Sequence, residues 1–297
     1  MADIALTTPP PLAKLSFTPI IKDDLKPALP TKPETFNPDK HLAFVHDPKK
    51  LSLKDVSLPE DVEISPVACS EQFHLFTEEA IQNMRQEIFT TEVWENCLHS
   101  TRFAPCQLRG HCPKYAPFMN QAWKNPKTLA VISQVAGEKN QEKAGDNTSV
   151  TKWHYDAFPF VCVVMMSDAT NMGSAVIPQG RYVEHQALAA IGGAERITMI
   201  TSFRPRNPCV KDDSVLTSIR PISEHSELYY QWAKYRVEVV QERLKTFLKT
   251  LAEDNEGDKP TNVRRIKEFL AQQQDYIGIT NEEIAETRGP HLTWEGS

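Results

Sequence analysis

The stretch WHYDAFPFVCVVMMS, residues 153–167, decides the reading of this chain. Its second part, Phe158 to Ser167, is a continuous apolar run with several β-branched residues. Such a run suits a strand buried on both faces. Its head is different. His154 and Asp156 stand two positions apart, and in extended backbone positions i and i+2 project to the same side. One imidazole and one carboxylate therefore reach the same point at the entrance of the strand.

Those two groups can share a metal ion if a third ligand comes from elsewhere. His185, in the segment GRYVEHQAL (180–188), is the best placed candidate. Two histidines and one carboxylate occupy one face of a metal and leave the other face open, the arrangement of mononuclear non-haem Fe(II) sites. The next strand, AERITMITSF (194–203), supplies a complementary charge. Ile197, Met199, Thr201 and Phe203 project one way; Arg196, Thr198, Ile200, Ser202 and Arg204 project the other. A guanidinium on a buried strand needs an acceptor. Arg196, with the Thr198 hydroxyl two positions on, can hold a carboxylate through two hydrogen bonds. A dicarboxylate spanning metal and Arg196 would satisfy both halves. Arg204 is a second candidate for that anchor, and pairing of Arg196 with Glu184 or Glu195 is the internal alternative.

Around this centre the pattern is mixed. Residues 1–60 carry ten of the 22 prolines and no glycine, and read as an extended arm that packs over a body or stays mobile. Thr77 is a natural N-cap for a helix over 71–90, with Glu78 and Glu79 in its first turn and Ile81, Met84 and Ile88 on one face. Residues 138–152 are polar and read as a surface loop. A strand is expected over Gly173–Gly180. From Ser226 the spacing becomes helical through Leu251, and a second helix follows around Ile266, Phe269 and Leu270. The charged side from Glu238 to Lys249 reads as a solvated face. With 33 Lys+Arg against 39 Asp+Glu, the net charge of −6 gives no basic field for nucleic acid. No apolar run is long enough for a bilayer and no signal peptide is visible. A cytoplasmic protein with free thiols is expected, without nucleic-acid or membrane partners.

The strings WHYDAFPFVCVVMMSD, QGRYVEHQAL and GGAERITMITSFRPR together resemble fungal Fe(II)/2-oxoglutarate-dependent oxygenases of secondary metabolism. The resemblance extends more loosely over residues 60–275. It implies a mixed α+β fold: a double-stranded β-helix, or jelly roll, over 61–225, with a helical segment over 226–297. It implies His154, Asp156 and His185 as iron ligands, Arg196 with Thr198 as the 2-oxoglutarate anchor, and oxidation of a small organic substrate. The alternative is a degenerate relative that acts as a binding or structural protein.

Two places are short against that family. Gly137 runs directly into the polar EKNQEKAG loop, and Met172 abuts Gly173 where a Gly-rich strand pair is expected. His185 follows Asp156 by 29 residues, which leaves room for about two strands of ordinary length. Each junction is therefore a true deletion or a missed coding segment. Four of the eleven glycines fall between Gly173 and Gly193, so the turn signal is concentrated beside the third ligand.

Other features have competing readings. Cys97, His99, Cys106, His111 and Cys112 cluster, but without the paired spacing of zinc fingers; buried thiols are the plainer reading. Arg109 and Tyr115 are candidates for a substrate pocket. Trp153 and Phe158 are candidates for an apolar wall beside the ligands. Arg181 is expected to pair with Glu184.

Overall fold

In the computed structural model the apolar run becomes the middle strand of a five-stranded antiparallel sheet. The structure describes residues 34–59, 64–99, 107–137, 141–143, 153–167, 171–186, 196–223, 225–256 and 260–285. The first half contains α1 (Pro38–His41), β1 (Lys50–Ser52), β2 (Val67–Ser70), β3 (Phe73–His74), α2 (Glu78–Ile88), α3 (Thr91–Cys97), β4 (Leu98–His99), β5 (Gln107–Leu108), α4 (Pro117–Lys124) and α5 (Pro126–Ala136). The second half contains β6 (Gln141–Lys143), β7 (Phe160–Met165), β8 (Ser174–Val176), β9 (Thr198–Pro205), α6 (His225–Glu256) and α7 (Val263–Glu282).

The main sheet runs β3-β8-β7-β9-β6, and β1-β2 and β4-β5 form two-stranded ladders. The architecture is mixed α+β. β7 pairs with β9 over its full length, from Phe160 opposite Phe203 to Met165 opposite Thr198. This register sorts the side chains. Phe160, Cys162 and Val164 with Met199 and Phe203 enter the main core, under α2, α4 and α5. The alternate positions, Val161 and Val163 with Ser202, Ile200 and Thr198, line the second face. The strand is buried on both sides as expected, although Val163 and Met165 are only half-buried.

The helical layer follows its sequence signals, except that the helix expected over 71–90 starts only at Glu78, because Phe73–His74 form β3 against β8. Thr77 accepts from Ala80 N as the α2 N-cap, and Ala80, Ile81, Met84 and Ile88 are buried. The Glu87 carboxylate accepts from Phe118 N and Met119 N, at 2.6 and 2.9 Å, where the start of α4 exposes unpaired amides. Trp123 of α4 fills the centre, edge-on to Phe76 at 5.3 Å. Gly173 has φ +82°, and a Cβ there would lie 2.1 Å from Phe76 O, so the close approach of β8 to the 75–76 backbone requires glycine.

Some expectations are corrected. Of the two readings of the N-terminal arm, residues 34 onward take the packed one, since Phe36 is buried and β1 pairs with β2; residues 1–33 lie outside the described set. The strand expected over 173–180 is regular only over Ser174–Val176; beyond it the chain stays beside β7, with Val161 N donating to Pro178 O at 3.1 Å, and bonds Ser70 and Ala68 on its other side. Part of the polar 138–152 loop is a strand, β6, which pairs with β9 at the sheet edge. Backbone pairing fixes it without an apolar pattern. The helices α6 and α7 form an antiparallel pair, and Trp232 of α6 joins Ala157, Phe158, Leu216 and Ile219 in a second small core. No helix among the described residues is long and apolar enough to cross a membrane.

Candidate metal centre

The ligand-bearing segments are paired backbone to backbone. His154 and His185 form an antiparallel bridge, with N–H to O=C distances of 3.0 Å in both directions. Asp156 N donates to Gly180 O at 2.8 Å. Extended backbone over 153–156 then alternates its side chains: Trp153 and Tyr155 face solvent, and His154 and Asp156 face the partner segment. His154 Nε2 lies 3.6 Å from Asp156 Oδ1, and His185 Nε2 lies 3.2 Å from Asp156 Oδ2. The ligand atoms of the three residues all lie within 4.8 Å of one another. Their side chains are 22%, 19% and 24% exposed, so the centre opens to solvent.

The hydrogen bonding of His185 bears on what the centre holds. Its Nδ1 is 2.8 Å from Val183 O, an acceptor, so Nδ1 carries a proton and donates it. In the neutral ring Nε2 then presents a lone pair to Asp156 Oδ2. Two acceptors at 3.2 Å repel unless a proton or a cation lies between them. Asp156 Oδ2 is buried and lacks a hydrogen bond of good geometry. In the metal-free state a proton does this work at pH below the raised His185 pKa. Burial alone would suppress the His185 imidazolium, but the adjacent Asp156 carboxylate outweighs it and raises the pKa. Burial alone would raise Asp156, and the two imidazoles outweigh it and hold the carboxyl below its ordinary value. A divalent metal replaces that proton with a stronger positive charge, and the Nδ1 bond to a backbone carbonyl is the usual outer-shell support of a ligating histidine. The donor set of two imidazoles and one carboxylate suits a divalent transition ion.

Gly180 is the functional residue that the motif reading passed over. A Cβ there would lie 1.9 Å from Asp156 Oδ2 and 2.9 Å from Val161 Cγ2. Only glycine leaves room for the ligand carboxylate. The available signal was an isolated glycine in a strand-like segment, which often marks close approach. Gly180→Ala is expected to weaken divalent-metal binding by at least about tenfold, because the carboxylate must shift. Titration with Co(II), followed by its visible absorption, measures this; circular dichroism should show the fold retained.

The remaining candidates are dispersed. Thr198 is half-buried and pairs with Met165, at the opposite end of β7 from the ligands. Val161, beside the Asp156 carboxylate, is four residues from Met165, about 14 Å along the sheet. Arg196 lies two residues further on and is exposed. Arg204 shares its strand face at the near end, with its guanidinium 3.3 Å from the Tyr235 ring centroid. Trp153 is 61% exposed and builds no wall. Phe158 is buried in the second core. Arg181 bonds Asp213 O at 2.9 Å. Arg109 is buried and donates to Ser223 Oγ at 3.0 Å, and the Tyr115 hydroxyl accepts from Lys114 Nζ. Cys97 is buried and Cys112 half-buried, while Cys106 and the His99 side chain lie outside the described set. Among the described residues these cysteines and His111 make no three-ligand group.

A second cluster, Glu34, His41 and Glu79, is unsuited to a metal. Lys40 Nζ already lies 2.5 Å from Glu34 and 2.6 Å from Glu79. His41 Nδ1 accepts from Asn37 N at 2.9 Å, so its Nε2 carries the proton and offers no lone pair. Comparison with family models, curated proteins and solved structures finds no match for this chain.

Proposed function

We propose that the chain is a non-haem Fe(II)- and 2-oxoglutarate-dependent oxygenase that oxidises a small organic substrate in fungal secondary metabolism. The observation that carries this reading is the meeting of His154, Asp156 and His185 through two paired backbone segments. These three side chains would hold Fe(II) on one face and leave the other for cosubstrates. Bound there with 2-oxoglutarate and dioxygen, the iron supplies an oxidant strong enough for an unactivated C–H bond.

The chain's own part is positioning. The second face of β7 and β9 at the ligand end, with Val161 and Ser202, would be the floor beneath a dicarboxylate. The anchor named for its distal carboxylate, Arg196 with Thr198, stands at the far end of β9, a separation longer than a five-carbon dicarboxylate, so this geometry does not support that role. Arg204 is nearer to the ligands but its guanidinium is stacked on Tyr235. The same proposal takes the five-stranded sheet as one wall of a double-stranded β-helix. The opposing reading, a relative that binds without catalysing, draws on the solvent-open position of the ligands.

Anaerobic addition of Fe(II) and 2-oxoglutarate to the purified chain tests the proposal. The expected result is a weak visible charge-transfer band that is lost in His154→Ala. Arg204→Ala should weaken 2-oxoglutarate binding by about 2–4 kcal/mol while leaving iron binding intact, and Arg196→Ala should have the smaller effect. No band in well-folded protein would leave the non-catalytic reading standing.

A further inference from the structure

The helical pair α6–α7 carries an apolar surface that the oxygenase reading does not use. Tyr230, Val237, Leu244 and Leu248 of α6, and Val263, Leu270 and Ile277 of α7, are each between 44% and 68% exposed. At about 100° per residue, steps of seven and eleven return to within about 20° of the same direction. Each set is therefore a single stripe. The helices touch along other residues: Phe247 stacks on Phe269 at 3.9 Å, and Arg236 Nε bonds Thr280 Oγ1 at 2.8 Å. On each helix the stripe lies about a quarter-turn from that contact line, in the same rotational sense. The helices run antiparallel, so equal rotation places both stripes on one side of the pair. The contacts also set the levels, with Leu244 close to Leu270 and Val237 close to Ile277.

We infer that this side is a homodimer interface, on which a second copy of the chain seats the same hairpin to make a four-helix bundle. An apolar stripe on each of two neighbouring helices is the surface a bundle buries. A two-fold interface needs only self-complementarity. The flanking charges allow it, because they alternate in sign and are paired within each helix: Lys234 with Glu238, Lys249 with Glu253, Arg264 with Glu268. Two copies would therefore not meet fields of one sign. The area is adequate but small. Two helices present a width of about 20 Å, and Tyr230 to Leu248 span about 27 Å. The two surfaces would bury on the order of 1,000 Å², the lower end for a specific interface. The dimer should accordingly be reversible, with a micromolar dissociation constant.

Sedimentation velocity of the full chain, over concentrations bracketing that constant, tests this. The expected result is a monomer–dimer equilibrium. Leu244→Glu and Leu270→Glu should each weaken it by at least about tenfold, with the helical circular-dichroism signal and melting temperature unchanged. A second measurement needs no variant: hydrogen exchange at amides near Leu244 and Leu270 should slow as wild-type concentration rises. A wild type that stays monomeric overturns the inference. So does a dimer that survives both substitutions, a concentration-independent exchange rate at these amides, or a dimer abolished by deleting residues 1–33 but kept in both glutamate variants.

Discussion

Asp156→Ala is expected to lower divalent-metal affinity by about 100-fold or more, since loss of even an outer-shell partner costs 10–100-fold. Asp156 supplies the charge that both imidazoles face. Its removal takes away the anionic ligand and also the reason for His185 to hold a proton. Calorimetric titration with Co(II) or anaerobic Fe(II) measures the loss, and Asp156→Asn should be nearly as severe because the amide keeps shape without charge. Unchanged affinity in both variants would remove the centre from consideration. The pH dependence has a definite sign. The His185 pKa is raised in the folded chain, so its stabilising contribution to the metal-free state is present at low pH and fades as pH rises through that value. The Asp156 pKa is lowered, so its contribution is present above the ordinary carboxylate range and is lost as pH falls through the depressed value. The metal-free ion pair is thus strongest between the two. Metal binding must displace the proton, and affinity should rise with pH across the His185 titration.

Asp212→Ala is expected to produce the largest loss of stability. Asp212, in the segment after β9, buries its carboxylate against both long helices. It accepts from Tyr235 OH at 2.7 Å, Tyr276 OH at 2.8 Å and Arg236 Nη1 at 3.0 Å. The Arg236 side chain is only 1% exposed. Truncation leaves a buried guanidinium without its counter-charge, which typically costs about 3–5 kcal/mol. In a chain of this size that corresponds to about 10 °C in melting temperature. Differential scanning calorimetry checks it, and Glu253→Ala, which breaks an exposed pair, should change little. Burial alone would raise the Asp212 pKa; Arg236 and the surrounding donors outweigh it, and the carboxyl stays below its ordinary value. Its stabilisation is therefore complete above the ordinary carboxylate range and is lost as pH falls through the depressed value. Acid unfolding should begin with release of α6 and α7, seen as early exposure of Trp232.

The parts of the molecule that were readable in advance are those set by local chemistry. The α2 helix announced itself through Thr77 and the spacing of Ile81, Met84 and Ile88. β7 followed from an uninterrupted apolar run, and the facing of β9 from simple alternation, including the inward Met199 and Phe203. His154, Asp156 and His185 were legible because spacing and residue type constrain a ligand set. What the sequence concealed depends on distant partners. β6 has no apolar pattern and exists because β9 offers it an edge. Gly180 matters only because Asp156 folds against it. The position of Arg196 depends on the register of two strands, and strand register is not written in either strand alone. The Asp212 network joins residues from 212 to 276, none of which marks itself as a partner of the others.

The bridge between His154 and His185 has a consequence for how this chain can change. The candidate ligands are fastened to one another by their own backbone, not by the length of chain between them. The segment joining β7 to β8 can therefore grow or shrink while the ligands keep their places. That segment leaves β7 at Met165, the end of the strand far from the three side chains, so length variation there would leave the centre itself in place. The candidate centre and the far end of the sheet could then change independently, one held by a backbone bridge and the other by a connection between two strands.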